Sequence, residues 1–241
     1  MDTPASADVP IRPAATVLAL SPRGSGFDVL MVRRNRGSAF MGGAHVFPGG
    51  AVDPADYADD ARRVIAWDGL PEEHPWRAAA LRELAEEAGV LLCEPPLEHG
   101  GREGAALYRF LLETGSVFDA RRLEYLSNWV TPVGPPRRFD TRFFVTTVSA
   151  GTALSSDRRE VFDAVWVDPA AALDAADAGR WQIEFPTRVH LELLTGFEAA
   201  DEVMAHARAA EPHRIEPRLV VGKDGAWRVL LPGETDFEAA K

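Results

Sequence analysis

The sequence predicts an α/β fold in which helices pack on a mixed β-sheet. Stretches with the two-residue period of strands are interspersed with stretches that have the 3.6-residue period of helices. They do not follow a strict strand–helix–strand rhythm, and turn signals at residues 21–26 and 222–225 predict two hairpins. The chain has 241 residues, of which 46% are apolar and 26% charged, and this composition is typical of a globular domain.

The N-terminal half is predicted to contain a hairpin, a short strand and two helices. Pro75 suits the first turn of the second helix, where its missing N–H costs nothing, and Gly89 is placed to end that helix. The predicted bounds are 14–20, 27–33 and 45–47 for the strands, and 61–66 and 76–88 for the helices.

The C-terminal half is predicted to be richer in helices. Strands are predicted at 142–148 and 161–167, with a hairpin at 215–231. Helical periodicity covers the segments 105–114, 119–128, 169–178, 187–195 and 197–209.

The predicted domain organisation is simple. Residues 1–13 are expected to form a flexible arm, and residues 14–241 a single domain. An insertion at about 57–75 and a helical and hairpin extension at about 184–233 are expected to elaborate this domain.

The bulk composition excludes several classes of protein. A formal charge of -11 repels nucleic acid and anionic membranes, and a lone cysteine, Cys93, precludes a disulfide within the chain. The sequence shows no signal peptide and no apolar run long enough to span a bilayer. We therefore expect a cytoplasmic protein without nucleic-acid or membrane partners. A homodimer is compatible with the sequence, which does not specify the oligomeric state.

The segment RELAEEAGV, residues 82–90, crowds three carboxylates onto one helical face. At 100° per residue, Glu83, Glu86 and Glu87 fall within an arc of about 100°. Arg82 lies four residues before Glu86 and within its reach. The face is either an ordinary solvated acidic surface or a site for a divalent cation, because Mg²⁺ prefers carboxylate oxygens. The opposite, buried face is predicted to contain Leu81, Leu84 and Ala88.

Together with the upstream FPGG at residues 47–50, this segment resembles the Nudix box. The chain departs from the family pattern in two ways. Asp56 stands where the box usually has Glu, and the segment between Asp56 and Arg82 is about 18 residues longer than usual. The insertion puts in doubt whether Asp56 reaches the site.

The resemblance implies an α/β/α sandwich around a mixed sheet. It also implies hydrolysis of a nucleoside diphosphate derivative, a small molecule, with Mg²⁺ or Mn²⁺ as cofactor. Carried over by position, Glu83, Glu86 and Glu87 would be metal ligands, as would the carbonyl of Gly50. Arg82 would orient these carboxylates through charge-assisted hydrogen bonds.

The catalytic reaction also requires a group that accepts a proton from the attacking water. Glu86 and Glu87 are candidates from within the box. Glu160, just before the strand predicted at 161–167, is the best candidate outside it. The alternative for Glu160 is a surface residue beside Arg158 and Arg159.

Residues 33–50, 138–144 and 184–187 resemble the Nudix branch that contains the peroxisomal coenzyme A diphosphatases. That branch implies cleavage of coenzyme A or acyl-CoA into 3′,5′-ADP and a 4′-phosphopantetheine product. Basic residues near the box could bind the substrate, or could instead balance an acidic surface. The candidates are Arg33, Arg34, Arg36, His45, Arg137, Arg138 and Arg142.

Two other hypotheses remain open. The first is a Nudix hydrolase for ADP-ribose, NADH, a nucleotide sugar or a dinucleoside polyphosphate. The second is a Nudix-type nucleotide-binding module without catalysis. The second hypothesis predicts loss of the box carboxylates, but all three are present.

Overall fold

The computed structural model describes residues 9–35, 42–98, 100–155, 161–222 and 227–237, apart from the side chains at positions 161, 162 and 227. Its strands are β1 (Ile11–Arg23), β2 (Gly26–Arg34), β3 (His45–Val46), β4 (Gly49–Ala51), β5 (Ile65–Ala66), β6 (Cys93–Glu94), β7 (Val117–Asp119), β8 (Glu124–Val130), β9 (Arg138–Thr147), β10 (Val161–Val167), β11 (Arg214–Ile215), β12 (Arg218–Val221) and β13 (Trp227–Leu230). Its α-helices are α1 (Asp59–Arg63), α2 (His74–Ala88), α3 (Gly104–Thr114), α4 (Pro169–Asp177), α5 (Phe185–Leu194) and α6 (Ala200–Ala209).

The main sheet is mixed, as the sequence predicts. Its strand order is β10-β2-β1-β9-β8-β11, with β3 attached to β2 and β4 to β1. Strands β1 and β2 form the predicted hairpin, whose turn places Gly24 at φ 56°, a conformation that favours glycine. Strand β1 then runs parallel to β9, so the two strands begin at the same end of the sheet.

Helices cover both faces of the sheet, and the fold is an α/β/α sandwich. One core cluster joins α2 and α3 to alternate residues of β1, among them Val17 and Ala19. The other cluster joins α5 and α6 to the intervening residues, among them Leu18 and Leu20. This alternation follows from the two-residue period of a strand that is buried on both faces.

Helix α2 ends at Ala88 as predicted and begins at His74, two residues before the predicted start. Pro75 lies in its first turn, and Gly89 caps its C-terminus at φ 70°, donating its N–H to the carbonyl of Ala85. The helix packs against β1 and β4. Its side chains therefore face β4, which contains Gly49 and Gly50 and is called the glycine strand below.

The insertion folds back onto α2 instead of extending into solvent. A 3-10 turn at Pro54–Tyr57 leads into it, and it contains helix α1 and strand β5, which joins β7 and β6 in a small three-stranded sheet. The buried guanidinium of Arg77 lies 3.5 Å from the ring centroid of Trp67 and donates to the carbonyls of Ala120 and Leu123. Arg77 thus fastens the insertion to the segment before β8.

Three predictions about local structure were wrong in whole or in part. The helix predicted at 61–66 ends at Arg63, and Ile65 and Ala66 form β5 instead. Residues 119–128 were predicted to be helical, but they contain the end of β7, a 3-10 turn and most of β8. Pairing of β8 with both β9 and β11 overrides the local helical periodicity. The predicted flexible arm is too long, because residues 11–13 belong to β1 and pair with β9.

The C-terminal extension contains the predicted helices and hairpin. Helices α5 and α6 are followed by β11, which pairs with β8, and by the antiparallel pair β12 and β13. None of the helices in the described part of the chain combines the length and the apolar character that a bilayer-crossing helix needs.

His190 of α5 is a buried titratable group in the core between α5 and the sheet. It is 2% exposed, and its ring stacks on Phe143 at 4.3 Å. Its Nδ1 lies 2.7 Å from the carbonyl of Pro186, and its Nε2 lies 2.7 Å from the hydroxyl of Ser127. Because a carbonyl only accepts, Nδ1 carries the proton of the neutral ring. Burial lowers the pKa of His190 to about 4.

We expect protonation of His190 to destabilise the fold in acid. The folded pKa of about 4 lies below the ordinary value of 6.5, so the unfolded chain binds the proton more readily between these values. The contribution of His190 to stability is complete above pH 6.5 and falls by about 2 kcal/mol at pH 5. Urea unfolding at pH 8 and pH 5 should show this loss in wild type and a smaller loss in His190→Gln. The exposed His213→Gln provides the matched control, and equal losses in wild type and His190→Gln would contradict the prediction.

Candidate active site

A cleft of about 580 Å³ opens where α2, the glycine strand β4 and the start of β1 and β9 meet. Carboxylates from α2 line one end, and alternate residues of β1 and β9 line its floor. The acidic end includes Glu83, Glu86, Glu87, Glu103 and Asp53, and the floor includes Arg12, Ala14, Thr16, Arg137, Phe139, Thr141 and Phe143.

Arg82 is the centre of the acidic end, and its side chain is only 6% exposed. Its Nε and one terminal nitrogen bind the two oxygens of Asp56, at 2.9 and 3.0 Å. The other terminal nitrogen donates to Glu83 at 2.7 Å and to Glu86 at 3.2 Å. The planar guanidinium thus makes four hydrogen bonds to three carboxylates, whereas a lysine ammonium has only three donors and no planar fork to match Asp56.

Asp56 reaches the site despite the insertion. It is fully buried, and it accepts a hydrogen bond of 2.6 Å from the hydroxyl of Tyr108 as well as the pair from Arg82. It also accepts from the N–H of Asp53, in the turn that follows the glycine strand. The sequence left the position of Asp56 in doubt, and the structure places it directly behind Arg82.

Burial makes the charges of this network interdependent. Burial works to lower the pKa of Arg82, but the hydrogen bond to Asp56 and the charges of Glu83 and Glu86 outweigh it and raise that pKa. Burial raises the pKa of Glu83 to about 7, with Arg82 opposing the shift and Glu86 adding to it. Burial also raises the pKa of Glu86. One buried cation is therefore insufficient to neutralise the acids around it.

Backbone N–H groups hold the other carboxylate oxygens. Glu86 accepts from the N–H of Gly104 at 2.7 Å, where α3 begins. Glu87 accepts from the N–H of Gly49 at 2.9 Å. These bonds join the acidic face of α2 to α3 and to the glycine strand.

The two glycines of β4 are required by close approach. A Cβ on Gly50 would lie under 3.0 Å from the carboxylate of Glu83. A Cβ on Gly49 would lie under 3.0 Å from the carbonyl of Ala15 and the hydroxyl of Thr16. The backbone of β1 thus leaves room only for glycine at position 49, while a Cβ at position 50 would displace the carboxylate of Glu83.

The donors at this end suit a hard cation in their chemistry. Glu83, Glu86, Glu87 and Gly50 all line the cleft, and carboxylate and carbonyl oxygens are the ligands that Mg²⁺ prefers. Within the described residues, however, no three His, Cys, Asp or Glu side chains converge as a preformed metal cluster. The predicted ligands instead bind Arg82 and the backbone N–H groups.

The predicted substrate-binding residues are scattered. Arg34 lines the cleft, and its buried Nε has no hydrogen-bond partner in the described part of the chain. Arg33 and His45 are not among the described lining residues, and the ring of His45 stacks on Trp181 at 4.0 Å. Burial, followed by the charge of Arg33, lowers the pKa of His45.

Arg138 and Arg142 also fall outside the described lining of the cleft. Arg138 is buried and binds the carbonyl of Thr131 and the carboxylate of Glu216. The guanidinium of Arg142 lies 4.0 Å from the ring centroid of Trp76. Both lie on the face of β9 opposite to that of Phe139, Thr141 and Phe143, so neither side chain reaches the floor of the cleft. Arg36 and Glu160 lie outside the described residues.

Sequence reasoning missed Arg12, which lines the cleft from β1. It fell in the segment that was assigned to a flexible arm. The signal that could have found it is the alternation of Arg12, Ala14 and Thr16, which share one face of the strand.

Comparisons with known proteins agree with this geometry. A model of the NUDIX domain matches residues 10–187. The chain is 27% identical to acyl-coenzyme A diphosphatase NUDT19 of Gallus gallus, across 86% of this chain and 72% of that protein. The identity is also 27% for NUDT19 of Homo sapiens, across 96% of this chain and 76% of that protein.

A solved structure gives the same result. The crystal structure of a NUDIX hydrolase from Alicyclobacillus acidocaldarius is 30% identical in sequence and superposes with a TM-score of 0.72. The match covers 83% of this chain and 97% of that one.

Loss of the Tyr108 hydroxyl should destabilise the fold. Tyr108→Phe removes one donor from a fully buried carboxylate, and we expect a cost of about 2 kcal/mol, or a drop in Tm of about 4–8 °C. Thermal unfolding of the variant and wild type measures it. Tyr57→Phe is the matched control, because Tyr57 is 42% exposed. Equal Tm values for Tyr108→Phe and wild type would refute the importance of this bond.

Proposed function

The chain belongs to the Nudix family, and on that premise we propose that it is a divalent-metal-dependent hydrolase. Its reaction is cleavage of the diphosphate linkage in a nucleoside diphosphate derivative. The observation that carries the proposal is the network in which buried Arg82 gathers Glu83 and Glu86 beside Gly50, at one end of an open cleft. A protein that only binds nucleotides would not need buried carboxylates whose negative charge exceeds the positive charge of Arg82.

The cofactor in this proposal is Mg²⁺ or Mn²⁺. Glu83, Glu86, Glu87 and the carbonyl of Gly50 are the residues that would hold it, since they supply hard oxygen donors at one end of the cleft. When bound, the cation would neutralise diphosphate charge and make a water molecule more acidic. The raised pKa of Glu83 supports this assignment, because it reflects a charge excess that a cation would relieve.

The residues of the chain supply positioning and proton transfer. Arg82 orients Glu83 and Glu86, while the N–H groups of Gly49 and Gly104 fix the remaining oxygens of Glu87 and Glu86. Fixed carboxylates reorganise little when charge develops, which lowers the barrier to hydrolysis. Glu86, Glu87 and Glu160 remain the candidates to accept the proton of the attacking water.

Coenzyme A or acyl-CoA is the proposed substrate, with 3′,5′-ADP and a 4′-phosphopantetheine compound as products. The names of the relatives from Gallus gallus and Homo sapiens support this choice. The cleft supports it as well, because it continues from the acidic end along β1 and β9 and has room for more than a diphosphate.

We expect Glu86→Gln and Glu87→Gln to lower kcat by at least about 100-fold while the protein remains folded. The amide keeps the volume of the side chain and removes the charge. Rates with coenzyme A and Mg²⁺, together with circular dichroism, provide the measurement. Glu113→Gln, on the exposed face of α3, is the matched control. Wild-type rates in both active-site variants would refute the catalytic role of these acids.

A substrate panel tests the proposed specificity. Coenzyme A, NADH, ADP-ribose, a nucleotide sugar and a dinucleoside polyphosphate should be incubated with Mg²⁺ or Mn²⁺ and the products identified by mass spectrometry. We expect coenzyme A to give the highest kcat/KM and to yield 3′,5′-ADP. A clear preference for another compound would refute the coenzyme A assignment but would still support the proposed hydrolase activity.

A further inference from the structure

Three arginines line the cleft away from its acidic end. Arg12 comes from β1, Arg34 from the end of β2, and Arg137 from the residue before β9. Within the described residues, Arg12 and Arg137 make no side-chain hydrogen bond or ion pair, and the buried Nε of Arg34 is also unpartnered. The chain carries a net charge of -11, so carboxylates are plentiful, and three arginines in one cleft without such partners among the residues that the structure describes point to an anionic ligand.

Several exposed arginines elsewhere in the described part of the chain pair with carboxylates. Arg121 pairs with Asp119 at 2.7 Å, Arg208 with Glu124 at 2.7 Å, and Arg214 with Asp140 at 2.6 Å. Acidic partners are therefore available on this surface, whereas Arg12 and Arg137 pair with none of them within the described residues. Free guanidinium forks are suited to bind an anionic ligand.

The sheet brings two of these arginines together. Arg12 pairs in register with Phe139, and Ile11 pairs with Arg138, so Arg12 and Arg137 lie at the same end of adjacent parallel strands. Arg12 continues the row of Ala14 and Thr16 on the cleft floor. Arg137 continues the matching row of β9, which comprises Phe139, Thr141 and Phe143.

The register also gives the distance from these arginines to the acidic end. Ala15 pairs with Gly50, which packs against Glu83. Arg12 lies three residues before Ala15, or roughly 10 Å along the strand. A ligand whose diphosphate lies at Gly50 would thus present a second group, some distance from the scissile bond, to Arg12 and Arg137.

We propose that Arg12 and Arg137, with Arg34 at the side, form a subsite for a phosphate monoester that the substrate carries in addition to its scissile diphosphate. The subsite makes the chain selective for nucleotide derivatives with an extra phosphate on the sugar. A phosphate monoester bears nearly two negative charges at neutral pH, which two guanidinium forks can match. This inference rests on the proposed function for its placement of the diphosphate.

Substrates that differ by one phosphate test the subsite directly. The full chain with Mg²⁺ should hydrolyse coenzyme A with a kcat/KM at least about 10-fold above that for dephospho-coenzyme A, mainly through KM. In Arg12→Gln/Arg137→Gln, the loss should fall on coenzyme A, and the ratio of the two kcat/KM values should approach one. The exposed pair Arg109→Gln/Arg180→Gln removes the same charge outside the cleft and should retain the wild-type ratio.

A binding measurement separates this inference from the proposed function. Calorimetry with 3′,5′-ADP and 5′-AMP needs no turnover, and 3′,5′-ADP should bind at least about 10-fold more tightly to wild type but not to Arg12→Gln/Arg137→Gln. Turnover without discrimination between the two coenzymes would overturn the subsite and leave the hydrolase intact. If no substrate is hydrolysed, the proposed function fails, and equal affinities for 3′,5′-ADP and 5′-AMP would then overturn the subsite as well.

Discussion

The buried guanidinium of Arg82 is the interaction on which the rest of the site depends. It forms a bidentate ion pair with Asp56 on one side and donates hydrogen bonds to Glu83 and Glu86 on the other. Removing one partner of such a buried pair typically costs about 3–5 kcal/mol, because the remaining charge stays desolvated. Loss of any one of these side chains would therefore destabilise the others. Together they hold the acidic face of α2 against the glycine strand.

This constraint explains how the chain tolerates a long insertion within the region that builds its site. Asp56, directly before the inserted segment, is anchored to Arg82 and Tyr108, and Arg77 anchors Trp67 within that segment. Extra length between fixed anchors costs little closure entropy. The insertion can then form its own small sheet without displacing the carboxylates.

Much of this organisation could be predicted from the sequence, because the signals are local. Pro75 and Gly89 delimit α2, and the period of the helix places Glu83, Glu86 and Glu87 on one face. The burial of that face could not be predicted, since it depends on long-range packing by α3 and β4. The same limitation explains the wrong helix at 119–128 and the missed Arg12, because strand pairing with β9 determines both.

The central claim is that Arg82 positions the carboxylates for cation binding, and its most direct test is the Kd of Mn²⁺ measured by electron paramagnetic resonance without substrate. Arg82→Lys retains the charge and loses the planar fork. The account predicts a folded variant, by circular dichroism, that binds Mn²⁺ at least about 10-fold more weakly than wild type. A folded variant with the wild-type Kd would contradict it.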